Sequence, residues 1–364
     1  MSNYEIDTSI GLKVLEIDDL RNRVAQEVSS TISKHATFMS SLNSDLSFLT
    51  GSLSEMMAGG KRLRPAFAYW GYRAAGGADS AEILQAATAL EFLQACALIH
   101  DDVMDESDTR RGNPSSHRQF ESLHEKNDWL GNAKQFGIGG AILLGDLCLS
   151  WADELLMKSN FETDKLKSAK NLYDLMRTEL LAGQYLDLLE QAKSNASIDN
   201  ILQVITFKSA KYTIERPLHM GALLAGADGR TIQTLSDYGL PLGVAFQLRD
   251  DILGVFGDEK ITGKPAGDDL REGKRTVLVA TALSKSSGSE HELLKNSLGQ
   301  KDLSPERILE LQNILTKSGA VDEVEHMIEE NRAVALQAIK ADYIDEQAMF
   351  VLANLAVAAT ERNY

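Results

Sequence analysis

An all-α fold is what this sequence predicts, on three observations. It holds only six prolines in 364 residues, alanine and leucine recur throughout, and no stretch sustains the Val/Ile/Thr alternation of a half-buried strand. The length admits two average domains or one large one, but no linker, low-complexity tract or short-period repeat divides the chain. The expected organisation is an N-terminal extension over 1–17 and one helical bundle over 18–364. A 43% hydrophobic content suffices for a sizeable core. The net charge of −16 argues against nucleic acid as a partner, because a phosphate backbone requires a basic face. It also makes clustered lysines and arginines informative. The opening MSNYEIDTSIGLKV lacks a basic region and a long apolar stretch. No window offers the ~20 uninterrupted apolar residues of a membrane span. A cytoplasmic protein with no integral membrane segment is therefore expected. Cys96 and Cys148 fall in apolar helical runs and read as buried thiols in a reducing compartment.

In chain order, 18–49 reads as one or two amphipathic helices with a polar break at 40–45. Gly59-Gly60-Lys61-Arg62-Leu63-Arg64-Pro65 follows, three cations beside a helix start that Pro65 favours, which resembles an anion site. A helix over 65–75, a turn at 76–80 and a long apolar helix over 81–105 come next, then a loop at 106–114. The segment 115–136 is mixed, with a loop at 127–132, and leads into a buried helix over 137–156. Asp146 within that helix reads as a hydrogen-bonded core carboxylate. The helical run 165–191 contains Gly183-Gln184-Tyr185-Leu186-Asp187. In 198–212, Lys208 and Lys211 share a helix side, one reading as a pocket cation and the other as a solvated charge, before Arg216-Pro217 breaks or kinks the run. An apolar helix over 231–256 precedes a basic loop at 257–276, where Asp268-Asp269 reads as a helix cap. From 277 onward, helical runs alternate with polar breaks at 284–290 and 299–305.

The chemistry concentrates in Leu98–Gly112, LIHDDVMDESDTRRG. Asp101 and Asp105 stand four apart and share a helix face, whereas Asp102 lies roughly 100° round the axis and suits a supporting role. Carboxylates ending a helix oppose its macrodipole, and a hard divalent cation resolves that conflict. Mg²⁺ typically takes one or two carboxylates plus phosphate oxygens. Arg110 and Arg111, immediately after, suit a multiply charged phosphate. One such cluster is weak, since acidic runs are usually solvated surface. However, Gln247, Asp250 and Asp251 repeat the order of Gln94 and Asp101-Asp102: a glutamine, then adjacent aspartates closing an apolar helix, then a basic loop with Lys264, Lys274 and Arg275. Two surface accidents with the same order of parts are improbable, so the two clusters read as halves of one site.

In order and spacing, GGKRLRP, LIHDDVMD with RRG, Lys208-Ser209-Ala210, FQLRDD and GKPAGDDLREGKRT resemble the trans-isoprenyl diphosphate synthases, over 59–276. The resemblance implies an all-helical single domain around a deep central cavity, usually a homodimer, using Mg²⁺. Three ions are expected, two held by Asp101 and Asp105 and one by Asp250, with Asp102 and Asp251 as supports. Arg110, Lys208 and Lys264 would grip an allylic diphosphate. Lys61, Arg64 and Arg111 would bind isopentenyl diphosphate, with Gln94 assisting. Gln247 would lie near the reacting carbons and Lys274 beside the diphosphate. The implied reaction is head-to-tail condensation with release of pyrophosphate. Two departures stand out: the second cluster reads DDILG, with Gly254 where the family often has aspartate, and the usual Lys-Thr pair is Lys208-Ser209.

Farnesyl-forming members often carry a bulky aromatic four or five residues before the first aspartate. Here Ala97 and Cys96 hold those places, so the cavity is expected to continue deeper. One helical turn is about 5.4 Å, close to one isoprene unit, so a floor at Phe92 and Leu93 favours the twenty-carbon geranylgeranyl product over farnesyl or longer chains. Alternatively, both pack between helices and a neighbouring helix sets the floor. A class I terpene cyclase would lack GGKRLRP and carry an Asn/Ser/Glu metal motif in place of the second aspartate pair. A non-catalytic subunit of a heteromeric synthase would be expected to lose metal aspartates or cations.

Overall fold

Apolar residues along the helices build the fold, and side-chain caps open some of them. The computed structural model describes residues 15–193, 197–257 and 266–361. Most of the expected extension, and Lys264, lie outside these. The first helix, α1, spans Leu15–Leu42, so it begins inside the stretch assigned to the extension. A 3₁₀ turn at Ser44–Leu46 leads to α2, Ser47–Met56. Then come α3 (Leu63–Ala74), α4 (Ala81–Met104), α5 (Ser116–Lys126), α6 (Ala133–Met157) and α7 (Thr163–Ala192). After α8 (Ile198–Val204), the backbone widens to a π-helix over Ile205–Glu215, then returns to α9 (Arg216–Ala225) and α10 (Gly229–Phe256). The rest comprises α11 (Asp268–Glu272), α12 (Val277–Lys285), α13 (Gly288–Ser297), α14 (Pro305–Lys317), α15 (Ala320–Ala338) and α16 (Glu346–Thr360). The chain is all-α. Among the described residues its strands are β1 (Thr109–Arg110) and β2 (Asn113–Pro114), an antiparallel pair in the expected loop, with Thr109 opposite Pro114. Arg111 and Gly112 turn between them with φ of 54° and 77°.

The caps are legible in the sequence. Asn132, Asp228, Ser304 and Asp345 each accept a hydrogen bond from a backbone N–H three residues on, opening α6, α10, α14 and α16. Helix α4 is buried on nearly every side, through Ile83, Ala86, Leu90, Phe92, Leu93 and Ile99 among others, because it packs against α1, α3 and α6 at once. By length and composition α4 and α6 are each apolar enough to cross a membrane. Burial of α4 within the bundle, with Glu91 and Asp102 in its buried surface, explains its composition without one. α3 and α9 meet backbone to backbone: a Cβ on Gly221 would lie 1.8 Å from the Ala68 carbonyl oxygen.

The apolar core falls into two clusters, one built on α1 to α7, α9 and α16 and the other on α8 and α12 to α15. Helix α10 contributes to both, Leu235 and Leu242 to the first and Leu248 and Ile252 to the second. Arg249 fastens its far end. Its Nε donates to the Thr360 carbonyl at 2.8 Å and its two Nη atoms reach the Glu325 carboxylate at 2.7 and 2.6 Å, tying α10 to α15 and α16.

Candidate active site

Two long helices, α4 and α10, deliver their aspartates to one region because each runs out of apolar residues there. Asp105 closes α4 as its C-cap, its N–H donating to the Asp101 carbonyl at 2.8 Å. Asp250 and Asp251 lie one turn before the end of α10. Beside them opens a cleft of about 460 Å³ whose lining includes Lys61, Asp187, Lys208, Gln247, Asp250 and Lys274. The π-helix sets Lys208 in place. It is held between two glycines, with Gly183 of α7 against the Lys208 backbone nitrogen (2.6 Å for an added Cβ) and Gly243 of α10 against Ala210 (2.4 Å). A π segment at such a point is a recurrent feature of functional sites.

Lys208 bridges two carboxylates, its Nζ 2.6 Å from Asp187 and 3.4 Å from Asp101. Gln184 also donates to Asp101, at 2.8 Å. Burial opposes the charge on Asp101, but Lys208, Lys274 and Arg110 outweigh it and hold that carboxyl below the ordinary range. Asp105 goes the other way: burial first, and then the Asp101 carboxylate, push it up to about 6. Its Oδ1 is buried with no hydrogen-bond partner. Asp251 is pushed up to about 8 by burial, with Asp269 and Asp250 adding repulsion, although Gln247 donates to it at 2.8 Å. Ser209 in turn donates to Gln247 at 2.6 Å, so the Ser209 variation on the family's pair orients the glutamine. Burial disfavours the charge on Lys274, yet Asp269, Glu272 and Asp105 raise it well above the ordinary lysine range.

Carboxylates crowded into a dry site, one with an orphaned oxygen, are short of positive charge. A divalent cation fits that donor set. Among the described residues no group of three or more His, Cys, Asp or Glu converges closely enough to cage an ion unaided.

Arg110, expected on a diphosphate, pairs with Asp102, its Nε donating to Oδ1 at 2.9 Å and its Nη2 also engaged there. The β1–β2 turn points it at the end of α4, where Asp102 is only 2% exposed. Three other sequence expectations require correction. Lys211 is no solvated charge: it bonds Glu179 at 2.6 Å, and Arg216 joins the same carboxylate at 2.8 Å. Asp146 is no core carboxylate, its side chain being 61% exposed near His100. Asp268 and Asp269 do not cap α11, whose N-cap is Gly267; they form its first turn. Gln184, Asp187 and Glu272 received no role from the sequence and Asp269 only that of a cap, although Gln184/Asp187 and Asp269/Glu272 each stand three apart on a helix, a spacing that puts both members on one side.

On the GGKRLRP side the cations separate. Lys61 lines the cleft, and Arg111 donates to the Met56 carbonyl at 3.2 Å with its guanidinium against Gly60. Arg64 lies over the Tyr212 ring, 4.3 Å from its centroid, and donates to Thr213 at 2.8 Å. Tyr212 donates to Gln94 at 2.9 Å, so Gln94 reaches this group through a tyrosine the sequence had not singled out. Arg62, between them in sequence, is structural: it is buried in a left-handed conformation (φ 53°) and pairs with Glu91 and the Met57 carbonyl.

Deeper along α4, Cys96 is buried with its thiol pushed up to about 12 by burial and by Asp146, and Ala97 is half-buried. Phe92 and Leu93 are fully packed and do not line the cleft, which therefore does not extend to them. Behind Phe92, the Trp151 ring meets it edge-on at 6.3 Å, and His35 stacks flat on Trp151 at 4.0 Å. Beyond this stack, between α1 and α6, lies a second hollow of about 650 Å³.

Comparison with known proteins agrees with this geometry. The polyprenyl synthetase family model matches residues 47–315. A geranylgeranyl diphosphate synthase of Methanosarcina mazei is 32% identical over 270 residues, 74% of this chain and 76% of that protein. A geranylfarnesyl diphosphate synthase of Aeropyrum pernix is 32% identical over 278 residues, 75% of this chain and 81% of that protein. The crystal structure of geranylgeranyl pyrophosphate synthase from Corynebacterium glutamicum, complexed with isoprenyl diphosphate and magnesium, superimposes with a TM-score of 0.92 at 39% identity, covering 95% of this chain and 99% of that one. With the family matched over most of its length and the aspartates and lysines gathered at one cleft, this chain belongs to the polyprenyl synthetase family and is a prenyltransferase.

Proposed function

We propose that this protein joins isopentenyl diphosphate head-to-tail to an allylic diphosphate, releases pyrophosphate, and makes geranylgeranyl diphosphate, with residues 18–364 acting as one catalytic domain. The observation that carries the reading is the convergence of two aspartate-ended helices on Lys208 and Lys274. Asp101, Asp105 and Asp250 would hold divalent metal, Mg²⁺ by preference and three ions in number. When bound, these ions supply Lewis-acid charge to the leaving pyrophosphate oxygens. Lys208 and Lys274 add fixed positive charge where the allylic C–O bond breaks and its electron pair passes to the diphosphate. Lys264 is assigned to the same diphosphate from the sequence resemblance. Lys61, Arg64 and Arg111 bind isopentenyl diphosphate so that its double bond faces the allylic carbon, attacks it, and forms the new C–C bond. The proton then lost goes to the departing pyrophosphate, so no nucleophilic Ser, Cys or His is needed. Gln247, anchored between Ser209 and Asp251, faces the reacting carbons. Arg110 is assigned to the allylic diphosphate from the sequence resemblance, and its pairing with Asp102 holds it at the end of α4.

The assignment of the twenty-carbon product rests on Ala97 and Cys96 in the places where a bulky aromatic would close the path along α4, with Phe92 and Leu93 assigned as the floor one turn further, and the similar proteins named for geranylgeranyl diphosphate support it. We assign a homodimer through α6 and α7, which leave Ile142, Leu143, Leu175 and Leu181 substantially exposed, and a cytoplasmic site, in keeping with two free buried thiols. Incubation of the purified protein with Mg²⁺, isopentenyl diphosphate and each of dimethylallyl, geranyl and farnesyl diphosphate tests the reading, with chromatographic sizing of the dephosphorylated products. A dominant twenty-carbon alcohol is expected. Fifteen-carbon or longer products would overturn the floor assignment but keep the reaction. No product from any primer would favour a non-catalytic subunit.

A further inference from the structure

The π segment that carries Lys208 is closed at its end by a bond that an α-helix does not make. The Arg216 N–H donates to the Lys211 carbonyl, five residues back, which is the spacing of a π turn. That bond stacks positions 211 and 216 on one side of the segment. In α geometry the same two positions would lie about 140° apart.

Both side chains end on one carboxylate. Glu179 of α7 accepts from Lys211 Nζ at 2.6 Å and from Arg216 Nε and Nη2, each at 2.8 Å. The three side chains are only 13% to 19% exposed. Lys211 Nζ also lies over the Phe207 ring, 4.8 Å from its centroid. Glu179, Gly183 and Asp187 recur every four residues along α7 and so form one stripe. Glu179 takes Lys211 and Arg216, Gly183 admits the Lys208 backbone, and Asp187 takes Lys208 Nζ at 2.6 Å. One face of α7 therefore holds both the end of the π segment and the lysine it carries.

We propose that Glu179 is a positioning residue: by holding Lys211 and Arg216 side by side it selects the π register, and that register delivers Lys208 to the cleft. Glu179 does not itself line the cleft. Were the segment to close to an α-helix, no single carboxylate could keep both cations, and Lys208 would turn away from Asp101 and Asp187. This rests on the reading of Lys208 as a cation for the allylic diphosphate.

The experiment removes the clamp and asks whether the lysine feels it. Glu179→Gln, which keeps the shape and loses the charge, is compared with Lys211→Met, Lys208→Ala and the double variant Glu179→Gln/Lys208→Ala. Each is first checked for helical content by circular dichroism at the assay temperature. The readouts are the dissociation constant of pyrophosphate with Mg²⁺ and kcat/KM for geranyl diphosphate. Glu179→Gln and Lys211→Met are each expected to worsen both about tenfold, within the 10²-fold that an ångström of misplacement can cost. Lys208→Ala is expected to lose about 10²-fold in kcat/KM. Adding Glu179→Gln to it should cost no more than about threefold further, because the glutamate acts through the lysine and coupled sites are not additive. A merely structural glutamate would lower the melting temperature and leave both constants unchanged. That result in Glu179→Gln, or in Lys211→Met should Glu179→Gln fail to fold, overturns the inference. So does a double variant in which the two losses multiply. Unchanged constants in Lys208→Ala overturn the reading of the lysine itself, and the inference with it.

Discussion

Aspartates near the ends of the two long helices have opposite fates, and the difference is one of partners. Asp101 is surrounded by cations and stays ionised, whereas Asp251 is buried beside other carboxylates and is pushed up to about 8. A carboxyl raised in the folded state makes the fold bind more protons than the unfolded chain, so its contribution to stability is present at low pH and lost as pH rises. For Asp251 the window runs from the ordinary 3.8 to about 8. Metal-free Asp251→Asn is therefore expected to melt higher than the unaltered protein near pH 8, with the gap closing below about pH 4. A gap that does not change with pH would contradict this origin. Asp102 is instead paired with a cation. Removing it as Asp102→Ala strands the Arg110 guanidinium, at a cost of about 3 kcal/mol in urea unfolding. Asp105→Asn, in contrast, leaves the fold intact and is expected to lower turnover roughly 10²-fold or more, as loss of a charge-stabilising group does.

Among the elements, the π-helix between α8 and α9 is the one that periodicity alone does not reveal. Lys208 and Lys211 were readable as neighbours on one side, but not which faced the cleft. The widened backbone, seated between Gly183 and Gly243, sends Lys208 to Asp101 and Asp187, while Lys211 goes to Glu179. Gly183→Ala puts a methyl group 2.6 Å from the Lys208 backbone nitrogen and must push the segment away. We expect a stability loss of about 1–3 kcal/mol, typical of overpacking, together with a raised KM for the allylic substrate. A stable variant with unchanged KM would show that Lys208 does not depend on this seat.

For the whole molecule, the stack of Phe92, Trp151 and His35 separates the core of the bundle from the hollow between α1 and α6. We propose that the floor expected at Phe92 and Leu93 is shared with Trp151 and His35 of the neighbouring helices. Trp151→Ala is expected to let chains grow past twenty carbons, at a stability cost of about 3–5 kcal/mol. Sizing the products at a temperature where the variant remains folded checks it, and an unchanged product length would place the floor elsewhere.

The order of the helices and the two aspartate clusters were determined by the sequence itself, because helical periodicity and i to i+4 spacing are local properties. The aspartates could be named for the same reason: they interrupt apolar helices whose interiors are otherwise consistent. Partner choice was not local. Arg110 meeting Asp102, Gln184 reaching Asp101, and Tyr212 linking Gln94 to Arg64 depend on which turns and helices approach, and some of those residues are more than a hundred positions apart. Asp146 shows the same limit: the apolar helix around it suggested burial, but only packing decided which face of α6 was covered. Glu179 is the plainest instance. The sequence shows Lys211 and Arg216 five apart, and only the tertiary structure, by widening the backbone to a π-helix beside α7, decides that both meet one carboxylate.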